Sequence, residues 1–208
     1  MKLSPLLRCV EKYYTDKVAT HGCTAKGADW KSEESQRMRF EQLLRRIRPA
    51  GVFTINDYGC GYGALVDYLR NENTSFQYRG FDVSEEMIAR ARRAHRGNAR
   101  CEFVSNKSLL SPADYTVASG IFNVKLDTPE REWREYMMET LGEFRELSTK
   151  AFAFNALTSY SDPEFMRPDL YYANPLELFD YCKRNLANKV ALLHDYPLYE
   201  FTMVVQVA

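Results

Sequence analysis

Glycines and aspartates form the pattern in this sequence with the clearest chemical meaning. The segment Ile55–Gly63 reads Ile-Asn-Asp-Tyr-Gly-Cys-Gly-Tyr-Gly, and Asp82 follows 23 residues after Gly59. Glycines at a strand-to-helix turn let the backbone turn sharply and let a ligand approach without meeting a Cβ atom. An acid at the end of the next strand can accept hydrogen bonds from both hydroxyls of a ribose. We therefore expect a nucleoside-containing ligand at this loop rather than a tight turn alone.

The glycine loop stands within a regular alternation of strand and helix patterns. The expected strands are Val52–Tyr58, Phe76–Phe81, Cys101–Val104, Tyr115–Val124, Ala151–Leu157, Val190–Leu193 and Glu200–Val207. Helices are expected between them, with Ser84, Thr128 and Asn174 at the N-cap positions. Pro129 would then occupy the first position of its helix. This alternation predicts a single α/β domain, with a doubly wound, mostly parallel sheet and helices on both faces.

The first 50 residues have a different pattern, which predicts a helical cap or lid on a core of residues 51–208. Leu3, Leu7, Val10 and Tyr14 are spaced as one apolar face of a helix. A second helix is expected over Ser32–Ile47, with Ser32 as its N-cap. The segment Thr20–Trp30 between the two helices is too rich in glycine and threonine to be regular, and we expect Tyr14, His21 and Trp30 to face inward.

Composition and charge exclude several classes of protein. The 208 residues include 28 Lys and Arg against 28 Asp and Glu, so the formal net charge is zero. A general nucleic-acid binder needs many cationic contacts to phosphates, which this balance does not favour. No apolar run approaches the roughly 18 residues of a membrane-spanning helix. The five cysteines form no C-x-x-C pair, so no metal site is expected, and a reduced cytoplasmic compartment is the simplest interpretation.

Two kinds of nucleoside ligand remain possible at the glycine loop. Gly59, Gly61 and Ala64 satisfy G-x-G-x-x-A, which is also the sequence motif of a dinucleotide-binding site. Asp57, two residues before the first glycine, would repel a pyrophosphate but would suit a cationic sulfonium amino acid. A dehydrogenase would also need a substrate domain, for which 208 residues leave little chain. These observations favour the sulfonium ligand.

The segments Asp57–Gly63 and Gly80–Ser84 resemble the class I S-adenosylmethionine-dependent methyltransferases, and the resemblance extends from about residue 50 to the end of the chain. It implies a seven-stranded sheet whose last strand is antiparallel and inserted beside the fifth. The region Tyr13–Phe40 is similar to small bacterial members of this family that have an N-terminal cap. The implied reaction is methyl transfer from S-adenosylmethionine to an oxygen or nitrogen of a small molecule, such as a metabolite, a sugar or a natural-product intermediate.

The resemblance also implies which residues bind the cofactor. Asp57, Gly59 and Gly61 would hold its methionine end, and Asp82 would take the ribose diol. The remaining implied cofactor contacts are Val83, Met87 and Asn106 around the adenine, Phe122 at the end of the fourth strand, and Tyr14 and Trp30 from the cap. Some family members that methylate amino groups carry Asp or Asn, Pro, Pro and an aromatic after the fourth strand, and the segment 121–124 departs from that pattern.

Several residues are candidates for acceptor binding and catalysis. His21 and His194 could each act as a general base, and Asp195 could orient His194, although each histidine is also explained as an ordinary loop or turn residue. Asn123, Tyr171 and Tyr172 are the candidates for substrate contact. The alternative function is a cofactor-binding regulatory or scaffold protein without turnover. A nucleic-acid methyltransferase would need a basic aromatic groove that the sequence does not contain, and the oligomeric state is not predicted.

Overall fold

One sheet of seven strands forms the centre of the part of the chain that the structure describes. The computed structural model describes residues 4–47, 51–72 and 74–208. The strands are β1 Phe53–Tyr58, β2 Phe76–Phe81, β3 Cys101–Val104, β4 Ala113–Ala118, β5 Ser148–Leu157, β6 Lys189–Leu193 and β7 Glu200–Gln206. The α-helices are α1 Pro5–His21, α2 Glu33–Leu44, α3 Ala64–Asn71, α4 Glu85–Ala94, α5 Glu130–Glu146 and α6 Pro175–Asn185. Within these residues no helix combines the length and the apolar character that a membrane span requires.

The strand order is β3-β2-β1-β4-β5-β7-β6, which confirms the predicted doubly wound fold. The first five strands in this order, β3, β2, β1, β4 and β5, pair in parallel. Strand β7 lies between β5 and β6 and runs antiparallel to both. The register places Asp57 of β1 beside Gly80 of β2 on one side and Val117 of β4 on the other. The carboxyl ends of β1, β2 and β4 therefore meet at one edge of the sheet.

The prediction that β4 continues to Val124 is wrong. The strand ends at Ala118, and Gly120 adopts φ +74°, a conformation that no extended strand contains. The buried amide side chain of Asn155 in β5 stabilises this turn, because its Oδ1 accepts a hydrogen bond from Gly120 N at 2.8 Å. The chain therefore leaves the sheet six residues earlier than its apolar character predicts.

Two helix ends also differ from the prediction. Helix α5 begins at Glu130, and Pro129 rather than Thr128 is its N-cap, because Pro129 has an extended ψ of 140°. Helix α2 has the predicted Ser32 N-cap but ends at Leu44 rather than Ile47. Its last turn tightens, since Arg45 N and Ile47 N donate to carbonyls three residues earlier. Both predicted ends of β2 and β3 match the structure, and apart from the end of β4 every other strand end lies within three residues of its predicted position.

The apolar core lies on both faces of the sheet. Helix α5 covers one face with a stripe of fully buried side chains, Trp133, Met137, Leu141 and Phe144. The other face packs against α2, α3 and α4 through Phe40, Leu43, Leu65, Val66, Leu69 and Ile88. The loops at the carboxyl ends of β1, β2 and β4 are thereby held on a rigid base.

Two polar contacts help to attach the N-terminal helices to this core. Arg39 of α2 forms a buried ion pair with Glu200 at the start of β7, with Nε 2.9 Å and Nη2 2.6 Å from carboxylate oxygens. Thr15 of α1 shares a 2.7 Å hydrogen bond with Ser84, the N-cap of α4. Residues 1–3, including Leu3 of the predicted first helix, and residues 48–50 at the end of the predicted cap lie outside the described residues.

Candidate active site

A cavity lies where the carboxyl ends of β1, β2 and β4 meet the N-terminal helices. About 830 Å³ of space lies between its lining residues, and part of that space is continuous with solvent. The sheet contributes three segments to its wall, the glycine loop after β1, the segment from Asp82 after β2 and Ser119–Ile121 after β4. The lining also includes Tyr14, Trp30, Gln36 and Phe40 from the N-terminal segment and Tyr136 from α5.

The glycine loop has the conformation that its composition predicts. Gly59, Gly61 and Gly63 have φ values of +82°, +55° and +88°, which L side chains rarely adopt. A Cβ atom on Gly59 would lie 2.2 Å from a methyl of Ile121. A Cβ atom on Gly61 would meet only Met87 Sδ, at 3.9 Å. Gly61 is therefore the glycine of this loop whose bare Cα borders open cavity.

Asp82 connects the glycine loop to helix α4. Its Oδ2 accepts a hydrogen bond from Gly61 N and its Oδ1 accepts one from Ser84 N, both at 2.9 Å. A carboxylate has about four lone-pair sites, so two of them remain for a ligand. Burial raises the pKa of Asp82 to about 6. Asp82 is therefore both a support for the loop and an acceptor on the cavity wall.

Asp57 is the second carboxylate on the cavity wall. It is 4% exposed, and Tyr78 donates a 2.7 Å hydrogen bond to its Oδ2. Burial raises the pKa of Asp57 to about 7, and the nearby charge of Asp82 acts in the same direction. A buried carboxylate of this kind is costly unless a cationic partner compensates for its lost hydration. The site therefore has the electrostatics to bind a positively charged ligand group.

The indole of Trp30 lines the cavity beside the turn that follows β4. The Arg39 guanidinium lies 4.1 Å from the centroid of the Trp30 ring. The indole edge packs so closely on Gly120 that a Cβ atom there would lie 2.2 Å from it. Tyr14 of α1 also lines the cavity, and burial raises the pKa of its hydroxyl well above the usual value. Both cap aromatics singled out in the sequence therefore lie at the cavity.

Solved structures of similar fold are methyltransferases. The magnesium protoporphyrin IX methyltransferase ChlM from Synechocystis PCC 6803, solved with S-adenosylmethionine bound, matches with a TM-score of 0.68 and 13% identity over 100% of both chains. The complex of DhpI with S-adenosylhomocysteine matches with a TM-score of 0.64 and 15% identity over 98% of this chain and 97% of that one. At these identities the likeness is one of fold.

Sequence similarity decides the family. A family model described as a methyltransferase domain matches residues 57–147. The protein Rv1506c of Mycobacterium tuberculosis (strain ATCC 25618 / H37Rv), which carries the name of a methyltransferase, is 49% identical over 165 residues, 79% of this chain and 99% of that protein. The chain belongs to the class I S-adenosylmethionine-dependent methyltransferases. The resemblance seen in the sequence and the cofactor it implied, S-adenosylmethionine, are thus confirmed.

Other residues on the wall of this methyltransferase cavity were not predicted from the sequence. Gln36 and Phe40 come from α2, Tyr136 from α5, and Ser119 from the turn after β4. Gln36 is 7% exposed, and its Oε1 accepts a 3.0 Å hydrogen bond from Tyr62 of the glycine loop. Gln36 stands among charged residues of α2, and Tyr136 stands beside the buried stripe of α5. No local sequence pattern distinguishes either of them from ordinary helix residues.

Two of the residues expected at the cofactor lie elsewhere. Asn106 is exposed, and its side chain caps the short helix Lys107–Leu109 by accepting from Ser108 N at 3.1 Å. Phe122 is fully buried in the apolar core beside Phe144 and Phe154. The turn at Gly120 explains this placement, because it directs Ile121 to the cavity and Phe122 into the core.

The predicted catalytic histidines also lie outside the cavity wall. His21 is exposed at the end of α1. His194 is exposed and packs against Tyr160 and Phe201, with ring centroids 6.0 and 6.2 Å away. Asp195 does not orient His194, since its carboxylate accepts a 2.7 Å hydrogen bond from Arg45.

The three predicted substrate contacts have structural partners instead. Asn123 is buried, and its Oδ1 accepts a hydrogen bond from Leu157 N at 3.2 Å. Tyr171 is half-buried against the core beside α5 and donates its backbone N–H to Asn123 O. The hydroxyl of Tyr172 accepts a hydrogen bond from Arg167 N at 3.0 Å. These residues hold the segment before α6 against the core.

Proposed function

We propose that this methyltransferase transfers the methyl group to an oxygen or nitrogen of a small-molecule acceptor bound in this cavity. The observation that carries the proposal is the bare Cα of Gly61, which borders the open cavity that Asp57 and Asp82 also line. When bound, S-adenosylmethionine supplies a methyl group on a sulfonium centre, already activated toward attack by an acceptor lone pair. Metabolites, sugars and natural-product intermediates are the acceptors that an enclosed site of this kind suits.

The residues on the wall fit the parts of the cofactor. Asp57 would accept hydrogen bonds from the ammonium group of the methionine end, and Gly59 and Gly61 would leave room for that end. The free lone pairs of Asp82 would accept from the ribose hydroxyls. Val83 and Met87, which both line the cavity, would contact the adenine. Asn106 and Phe122 are left out of this assignment because they lie away from the cavity.

The acceptor would lie in the part of the cavity lined by Ser119 and Ile121 after β4 and by Trp30 and Gln36 of the cap. No histidine belongs to the cavity wall among the described residues, so alignment is expected to supply most of the rate enhancement. Correct alignment of two reactants lowers a barrier by about 7–11 kcal/mol, whereas a general base contributes roughly 10²–10⁴-fold. Solved neighbours include a porphyrin and a carbon methyltransferase by their names, so the fold does not select the acceptor.

A coupled assay for release of S-adenosylhomocysteine tests this function. The full chain is incubated with S-adenosylmethionine and a panel of small hydroxyl- and amine-bearing molecules, and total RNA and a mixed protein sample form two further arms. We expect turnover with members of the small-molecule panel, and none without an acceptor. Methyl transfer to RNA or protein alone would contradict the proposal, and tight cofactor binding without turnover in any arm would favour a binding protein.

The N-terminal cap is proposed to act as a lid over the cofactor. Tyr14 and Trp30 line the cavity, and the link between Thr15 and Ser84 couples α1 to the N-terminus of α4. We expect trypsin to cleave the apo protein at Lys26 and Lys31, which are both exposed. S-adenosylhomocysteine should slow this cleavage about tenfold, because closure over the ligand orders the segment.

The matched control for this digestion is cleavage at Arg96, which is exposed in the turn after α4 and does not line the cavity. Its rate should not change with ligand. Equal cleavage at Lys26 and Lys31 with and without ligand would leave the cap with a structural role only.

A further inference from the structure

Carboxylates are the charged groups on the cavity wall. Asp57 and Asp82 line it, and no Lys, Arg or His does so among the residues that the structure describes. The nearest guanidinium behind the wall, that of Arg39, already pairs with Glu200 and donates to Ser35 O. A carboxylate or phosphate on the acceptor would therefore lose its hydration and gain no cationic partner.

Aromatic and aliphatic side chains form much of the rest of the cavity wall. They include Trp30, Phe40 and Ile121, and the neutral amide of Gln36 and the hydroxyl of Ser119 are among its polar groups. An acceptor with apolar surface is stabilised by burying that surface against this wall, and a neutral hydroxyl or amine on it finds hydrogen-bond partners.

The Trp30 indole is held in place from behind. The Arg39 guanidinium lies 4.1 Å from its ring centroid, and that guanidinium is itself fixed by Glu200, which is 1% exposed. The backbone of Gly120 blocks the indole edge. An aromatic surface fixed in advance binds a flat partner with little loss of conformational entropy.

Resting on the proposed function, we infer that the acceptor is an uncharged molecule with a flat aromatic ring system that packs against Trp30, and that anionic acceptors are rejected. The absence of a cationic side chain on the described wall disfavours the anion. The fixed indole favours the flat ring over a puckered ring of similar size.

The inference is tested with three probes of matched size: 2-naphthol, its carboxylate counterpart 2-naphthoate and its saturated counterpart 2-decalol. Their dissociation constants are measured by calorimetry at pH 8 on the full chain saturated with S-adenosylhomocysteine, which has no sulfonium charge of its own. We expect 2-naphthol to bind at least tenfold more tightly than 2-naphthoate and at least fivefold more tightly than 2-decalol.

Three variants separate the effect of charge from the effect of shape. Gln36→Lys places a cation on the wall and should reverse the preference, so that 2-naphthoate binds more tightly than 2-naphthol. Tyr62→Phe removes the same hydrogen bond between Tyr62 and Gln36 without adding charge, and it should keep the original preference. Trp30→Leu should bring the ratio of the 2-naphthol and 2-decalol dissociation constants close to one.

The wild-type measurement decides the inference even if a variant does not fold. Equal or tighter binding of 2-naphthoate or 2-decalol, or no binding of 2-naphthol at millimolar concentration, would overturn it while leaving the proposed function intact. Failure of S-adenosylhomocysteine itself to bind the wild type would instead count against the proposed function.

Discussion

Replacing Gly61 with valine is expected to lower the affinity for S-adenosylhomocysteine by more than about a hundredfold. Gly61 is the glycine of the loop whose absent Cβ faces open cavity, with Met87 Sδ as the single neighbour, at 3.9 Å. A branched side chain at that point would fill the space that the methionine end of the cofactor needs. Titration calorimetry with S-adenosylhomocysteine measures the effect directly.

The control variant must replace a glycine that also has a positive φ but does not line the cavity. Gly97, in the turn after α4, has φ +81°, and a Cβ atom there would meet no atom within 4 Å. Gly97→Val and Gly61→Val should therefore lose similar stability, on the order of 1–2 kcal/mol for a side chain in this conformation. Only Gly61→Val should lose the ligand. If both variants are folded and bind equally well, the glycine loop is a turn without a role in binding.

Replacing Asp57 with asparagine should have opposite effects on binding and on stability. The carboxylate of Asp57 is buried, and its folded-state pKa of about 7 lies above its ordinary value of 3.8. At pH 8 the folded protein therefore holds a buried charge, which asparagine removes. We expect the free energy of unfolding at pH 8 to rise by about 1–3 kcal/mol, while affinity for S-adenosylmethionine falls about ten- to a hundredfold.

The sign of the pH dependence follows from the direction of this pKa shift. Between pH 4 and 7 the folded protein binds the proton more tightly than the unfolded chain does, so the penalty from Asp57 grows as the pH rises through this window. The stability gain of Asp57→Asn should thus be full above pH 7 and vanish toward pH 4. Wild-type affinity for S-adenosylmethionine should fall below pH 7, as Asp57 and then Asp82 become neutral.

Urea unfolding and calorimetric binding at pH 5 and pH 8 check both effects. Asp67→Asn is the matched control, since it makes the same change in net charge at an exposed position. It should alter neither quantity. A loss of stability in Asp57→Asn at pH 8, or unchanged affinity for S-adenosylmethionine, would contradict the proposed role of Asp57.

The amino-acid sequence by itself determined the parts of this protein that depend on local conformation. Gly59, Gly61 and Gly63 indicate a turn with positive φ, because other residues are strained in that conformation. The alternation of apolar patterns determined the doubly wound sheet, since each strand and helix must bury one face. Asp82 was identifiable because a residue directly after a parallel strand stands at the ligand-binding edge.

Only the tertiary structure decided which side chains meet across the chain. The ion pair of Arg39 and Glu200, 161 residues apart in sequence, places Trp30 over the end of β4, and no local pattern announces it. The turn at Gly120 buries Phe122, which was expected at the cofactor, and places Ile121 on the cavity wall, for which no role was expected. Strand and helix patterns specify a face relative to the core, whereas a cavity wall depends on long-range packing that a local window does not contain.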